Sequence, residues 1–483
     1  MSKWVMKKNE INIEELAKAA NISETMATIL SLRGLKTPEE IQRFLNISIN
    51  DLHDGYLMKD MNKGTELIKK AIDNKKNIVI YGDYDADGII STYILFVALK
   101  RCGANVNYYI PDRESEGYGI NTDRLQTLYN EGCEVLLTCD NGISAVNEIK
   151  LAKELGISVI ITDHHEVPFI EDEEGNQIKI LPEADAVIDC KQEDCQYPFK
   201  QLCGAGVAYK FVSVLYEKMG ISKVQSDQFI EYAAIATICD IVDILHENRI
   251  ITKIGLEMLN NTTNIGLKAL IKAVGIEDKK IKSYHIGFII GPCINATGRL
   301  DKADLSLELL LCKDPMEADM IAAQLKELNE KRQELTEQGF IDVCQIVEDS
   351  GYHKDKVILV HDTTIHESIA GIIAGRVKEK YNKPTIILTD SKDELCAKGS
   401  GRSIEKYNMF EELTKCKNLM EKYGGHQMAA GLSIKKENII ELRNKLNINS
   451  PLKENDFIHK LTIDKQVPIS DVSIEMINDI EML

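Results

Sequence analysis

Apolar residues recur at three-to-four spacing over Ile13–Ala20 and Pro38–Leu45, and again over Met61–Asn74. That rhythm predicts a helical N-terminal region over 1–75. Past residue 76 it changes. Short runs rich in Val, Ile, Leu and Tyr at Asn77–Tyr81, Asn105–Ile110, Glu134–Thr138, Ser158–Thr162 and Asp185–Ile188 predict strands. Stretches between them, such as Ile89–Lys100 and Ser144–Leu155, predict helices. The alternation predicts an α/β domain over 76–312, built on a parallel sheet with helices on both faces. The polar run Asp172–Asn176 predicts an exposed loop, and Gly204 to about Leu311 is mainly helical in pattern.

Asp314 followed by Pro315 is a helix start, with Asp as N-cap and Pro in the first turn. The helical pattern then runs to about Ser350, where Gly351 can stop it. A helix of ~35 residues is ~50 Å long, which suits a connector over 313–352. Gly339 leaves two shorter helices with a kink as the alternative. A second, smaller α/β domain follows over 353–448. Its strands are expected at Val357–His361 and Thr385–Leu388, and its glycine turns at 399–401 and 424–425. A further unit begins near Phe457, within 449–483.

Composition narrows the class. The 483 residues are 44% hydrophobic and 28% charged, which suits a globular protein of two to four domains. No apolar run is long enough for a membrane span, and the N-terminus lacks the features of a signal peptide. The 12 cysteines include no Cys-x-x-Cys pair, and Cys190, Cys195 and Cys203 lack a fourth zinc ligand nearby. Reduced thiols in the cytoplasm are the expectation. A net charge of -18 excludes nucleic-acid binding by bulk electrostatics, so any such activity must rest on a local site.

The candidate chemistry lies at strand ends. The first β-strand runs into Tyr81-Gly82-Asp83-Tyr84-Asp85-Ala86-Asp87-Gly88. Three carboxylates in five residues repel one another unless a cation offsets them. Alone, this run fits a solvated acidic turn with an N-cap equally well. A second strand ends at Asp140-Asn141-Gly142 and a third at Asp163-His164-His165. Ligands of open α/β sheets bind at the C-terminal strand ends, so three strands bring Asp and His to one edge. Mixed carboxylate and imidazole donors suit Mn²⁺, with Mg²⁺ as the alternative. Asp240 follows the apolar stretch Phe229–Ile238 and by itself reads as a surface residue. In the smaller domain, Gly399-Ser400-Gly401-Arg402-Ser403 and Gly424-Gly425-His426 place glycine turns beside Arg, Ser and His, a combination suited to phosphate.

In order and spacing, Asp83–Gly88, Asp140–Gly142, Asp163–His165 and Asp240 resemble the DHH phosphoesterase superfamily. Within it the chain resembles the RecJ family of single-strand-specific exonucleases. The further marks are Ile110–Arg113, Glu116–Gly119, Gly291–Arg299, His366–Ala374, Gly399–Ser403 and Gly424–His426. The resemblance implies a parallel-sheet DHH domain joined by a long helix to a DHH-associated domain, with the start of an OB-fold at 449–483. The chain would then be a truncated form.

Carried over by position, the resemblance implies that Asp85, Asp87, Asp140, His164 and Asp240 hold two Mn²⁺ ions, with Asp83 as a further ligand. Asp140 would bridge the ions, His165 would sit beside the reacting phosphate and Asp163 would orient the histidines. Arg113 would recognise the 5′ end. Asn295 and Arg299 would bind substrate, as would Ser400, Arg402, Ser403, Gly425 and His426.

The implied activity is 5′-to-3′ hydrolysis of single-stranded DNA to 5′-mononucleotides, in DNA repair and recombination. Single-stranded DNA is the expected partner, with a helicase or single-strand-binding protein beside it and the enzyme a monomer. The alternatives are an oligoribonuclease or cyclic-dinucleotide phosphodiesterase of the DHH group, whose chains usually lack the 291–299 signature, and a non-catalytic Cdc45-like replication scaffold, which loses metal ligands. Two positions depart from the family pattern. Tyr81 stands where many members have His, and Cys293 where Arg is common.

Overall fold

Neighbouring residues of the first sheet face different cores. Ile78 and Ile80 pack into one, and Val79 and Tyr81 into the other, as the two-residue period of a strand requires. A sheet buried on both faces has near-continuous apolar strands, and that is why these runs are legible as strands at all. The computed structural model describes residues 3–113, 116–117, 119–171, 177–300, 303–391 and 395–483. The expected loop Asp172–Asn176 and Tyr118 lie outside the described residues.

The first sheet has five parallel strands: β1 (Asn77–Tyr81), β2 (Asn105–Tyr109), β3 (Val135–Cys139), β4 (Ser158–Thr162) and β5 (Ala186–Ile188). Their order is β2-β1-β3-β4-β5. The order reverses between β1 and β3, and the crevice outside those two strand ends is where ligands of such sheets bind. One face is covered by α1 (Ala86–Arg101), which packs against α2 (Gly204–Lys218) and α3 (Ile230–Cys239). α4 (Gly291–Leu300) follows farther along.

The contact pattern divides the chain into one unit of residues 46–329 and another of 1–45 with 330–483. Helix Met61–Asp73 belongs to the first, because it packs on α2 and β5. The boundary falls inside α5 (Pro315–Asp349), a single helix of 35 residues. Asp314 caps it, accepting from the backbone N–H of Met316 and Glu317. Gly339 does not break it.

The second sheet holds β6 (Ile358–His361), β7 (Thr385–Asp390), β8 (Cys396–Arg402), β9 (Met420–His426) and β10 (Ala429–Lys435) in the order β9-β10-β8-β7-β6. Only β6 and β7 are parallel; the other pairs are antiparallel. α6 (Glu367–Tyr381) covers one face, with the end of α5 beside it in a shared core. A strand the sequence pattern does not announce, Lys3–Met6, pairs in parallel with Lys460–Ile463. Over 449–483, where an OB-fold is expected to open, the residues form that one strand and the helix Ile474–Glu481, not a barrel.

Candidate metal centre

Asp85 lies in the turn after β1 and caps α1. Its Oδ1 accepts from the N–H of Asp87 and Gly88, at 2.9 and 3.1 Å, the bonds of an N-cap. Asp87 points across the sheet edge instead. Its two oxygens accept from Gly204 N and Ala205 N, at 2.6 and 2.7 Å, which are the first N–H groups of α2. The positive end of α2 therefore holds a carboxylate that the sequence places more than a hundred residues away.

Asp140 follows β3 in a left-handed conformation, φ 60°. Asn141 ties this turn to the first, donating from Nδ2 to Gly82 O at 2.7 Å. Gly204 has to be glycine here, since a Cβ would lie 2.7 Å from that of Asp140. Asp163, at the end of β4, is fully buried and braces the two histidines. Its Oδ1 accepts from His164 N and lies 2.8 Å from His165 Nδ1, while Oδ2 accepts from Ile143 N.

Donor atoms converge in three overlapping groups, each within 4.8 Å: Asp83, Asp85 and Asp140; Asp140, His164 and His165; Asp87, His164 and Asp240. His164 Nε2 is 3.0 Å from Asp140 Oδ1 and 3.7 Å from Asp87 Oδ2, and its Nδ1 is 3.8 Å from Asp240 Oδ2. Asp83, Asp85, Asp87, Asp140, His164 and Asp240 are thus brought together, with His165 at the same place.

Their electrostatics fit a cation. Burial, and then the neighbouring carboxylates, push Asp83 and Asp140 well above the usual range. The same causes raise Asp240 to about 8 and Asp87 to about 6. Burial and the charge of His165 lower His164 to about 3, leaving it the neutral imidazole a metal requires. Burial opposes protonation of His165 too, but Asp163 and nearby carboxylates carry it to about 9. Asp83 Oδ1, His164 Nε2 and Asp240 Oδ2 are buried without a hydrogen bond. Orphaned acceptors and mutually repelling carboxylates in one place fit a divalent-metal site.

Around it, Arg113 lies over the Tyr84 ring at 5.1 Å. Asn295 Oδ1 accepts from Ala86 N at 2.8 Å, so its carbonyl braces the carboxylate turn. Gly298 of α4 packs against Tyr84 O, and Arg299 follows. Tyr81 is fully buried against Tyr109, and its hydroxyl accepts from Asn121 N at 3.2 Å.

In the second unit, Arg402 and Ser400 lie against Gly371 of α6; a Cβ on that glycine would be 2.7 Å from Arg402 Nη2. Register aligns Arg402 and His426 on either side of Ala429. Paired strand residues share a face, so both belong to one patch, and His426 is exposed. Gly425, at φ 142°, lets its strand close on β10. Ser403 is buried and donates to Tyr407 O at 2.6 Å. Its hydroxyl braces a turn and does not face a ligand, contrary to the sequence expectation.

Asp189 was missed. It follows β5 in register with Asp163, is fully buried, and is raised to about 7 by burial and by Asp163. A fourth acid after a fourth strand was the available signal.

Comparison with known proteins agrees with this geometry. Residues 77–237 match the DHH family, N-terminal domain, and residues 354–448 match the DHHA1 domain. A single-stranded-DNA-specific exonuclease RecJ of Bacillus subtilis is 36% identical across 100% of this chain; the chain spans 59% of that relative's length. The RecJ of Dickeya dadantii is 32% identical over 86% of this chain and 72% of its own length. The crystal structure of RecJ from Thermus thermophilus in complex with Mn²⁺ superimposes with a TM-score of 0.83 at 26% identity, covering 99% of this chain and 67% of that one.

Proposed function

The chain belongs to the RecJ family of DHH phosphoesterases, and from that premise we propose that it hydrolyses single-stranded DNA from the 5′ end to 5′-mononucleotides. The observation that carries the reading is the set of donor groups sharing Asp140 and His164. Shared donors suit two adjacent cations, Mn²⁺ first by ligand type and Mg²⁺ second. Bound there, the ions activate water and offset charge on the phosphate.

The chain's own residues do the remaining work. Asp163 holds the His165 imidazole and the backbone N–H of His164, and His165, protonated through Asp163, offers a hydrogen bond and positive charge to a phosphate oxygen. The turn held by Asn295 keeps Asp85 and Asp87 in place. Arg113 stands beside the site as a contact for a terminal phosphate, and Ser400, Arg402 and His426 supply contacts to the strand backbone. A monomer acting in DNA repair and recombination, alongside a helicase or single-strand-binding protein, completes the proposal.

Digestion of single-stranded DNA labelled at either end, with and without Mn²⁺, tests it. The 5′ label should appear first as a mononucleotide, only with metal. Early release of the 3′ label would refute the polarity, and equal cutting of duplex DNA would refute the strand preference.

A further inference from the structure

Tyr284 and Phe288 sit one helical turn apart and are exposed by 61% and 69%. Their rings are stacked, with centroids 5.0 Å apart and planes inclined by 26°. On the other side of the same segment, Ile286 and Ile290 are buried. The helix therefore has its apolar anchor already and presents two more large rings to solvent.

Where it presents them matters. A Cβ on Gly287 would meet Ile238 Cγ2 at 3.6 Å, and one on Gly291 would meet Cys239 Sγ at 2.4 Å. The segment thus lies on the end of α3, directly before Asp240. It runs on into α4, whose Asn295 holds Ala86 N. The rings are therefore borne on the scaffold that connects two parts of the carboxylate site. Ile241, next after Asp240, is 89% exposed at φ 59°, a conformation strained for a β-branched residue. Lys279, Lys280 and Lys282 are exposed just before the rings, against Glu277 and Asp278. A local excess of positive charge beside aromatic rings, on a chain of net charge -18, is the combination that holds single strands by stacking and phosphate contact.

We infer that Tyr284 and Phe288 form a base-stacking platform that holds a nucleotide of a single strand beside the metal centre. The inference rests on the nuclease reading and specifies where that site grips bases and not phosphates. Stacking on a ring needs a base but no particular base, so the contact is tolerant of sequence.

The test uses the full chain with Mn²⁺. Phe288→Ala should raise KM for a single-stranded oligonucleotide roughly tenfold, leave kcat unchanged and leave hydrolysis of bis(p-nitrophenyl) phosphate unchanged. Phe288→Trp should restore KM. On an oligonucleotide of abasic sites, wild type and Phe288→Ala should behave alike. An equal KM shift on the abasic strand, or loss of bis(p-nitrophenyl) phosphate hydrolysis, would overturn the inference in favour of a packing role. A binding arm is independent of cleavage. Oligonucleotides carrying 2-aminopurine at successive positions should be quenched at one or two positions by wild type and not by the Tyr284→Ala, Phe288→Ala double variant. Absence of cleavage with quenching intact would refute the nuclease reading alone; absence of quenching by wild type would refute the platform.

Discussion

Asp163 touches no proposed substrate atom, yet it fixes the His165 imidazole and the backbone N–H of His164. Asp163→Asn keeps the shape and removes the charge. It should lower metal affinity or activity about ten- to a hundredfold, read as the Mn²⁺ concentration giving half-maximal rate; an unchanged value would show that the histidines orient themselves. Arg402 should behave differently. Arg402→Ala removes a charged contact worth roughly 1.5–3 kcal/mol, about ten- to a hundredfold. The loss should fall on DNA and spare a small phosphodiester, and a loss on both substrates would place Arg402 in the chemistry. At this scale the acids after β1, β3 and β4 were legible because each lies beside its strand in sequence and belongs to a recognisable motif, whereas Asp189 after β5 stands outside any such motif. The burial of Ser403 was not, since its partner is the carbonyl of Tyr407 and a serine in a glycine-rich run looks alike whether it faces water or a backbone oxygen.

Among elements, the N-terminus of α2 is the one that sequence reading left out of the site. A pattern of apolar residues shows that a helix begins near Gly204 but not what its N–H groups point at, and Asp87 meets them only in the folded chain. Gly204→Ala should therefore weaken Mn²⁺ binding, because the new methyl meets Asp140 Cβ at 2.7 Å and one of the two must move. Isothermal titration with Mn²⁺ would register it, and wild-type affinity would mean that the helix end can shift at no cost to the site. β1, β3 and β4 were readable because their apolar runs are buried on both faces, and the edge strand β2, exposed at Asn105 and Asn107, by its Val and Tyr residues. α5 was readable because Asp314 and Gly351 mark its ends. Lys3–Met6 and Lys460–Ile463 escaped notice, since they are short, exposed and paired only with each other.

For the whole molecule, a net charge of -18 means that the body repels a polyanion. Binding then depends on a few local contacts, and its salt dependence should follow their number. Each phosphate contact in a single-strand complex contributes about -0.7 to the slope of log K against log salt. Arg402→Ala should flatten that slope by about 0.7, measured by fluorescence anisotropy on a labelled oligonucleotide. An unchanged slope would mean that Arg402 carries no phosphate contact. The family and the α/β architecture were legible across almost the full chain, because the motifs keep their order and stand at strand ends. The division at 45/46 and 329/330 was not, because it joins residues far apart in sequence.

The central claim is that one set of carboxylates and imidazoles holds two cations through shared donors. The number of Mn²⁺ ions bound per chain at saturation, counted for wild type, Asp240→Ala and Asp140→Ala, tests it most directly. Two ions for wild type, one for Asp240→Ala, and fewer than two with no hydrolysis for Asp140→Ala are the expected results. A single ion in wild type, or two ions and full activity retained by Asp140→Ala, would contradict the account.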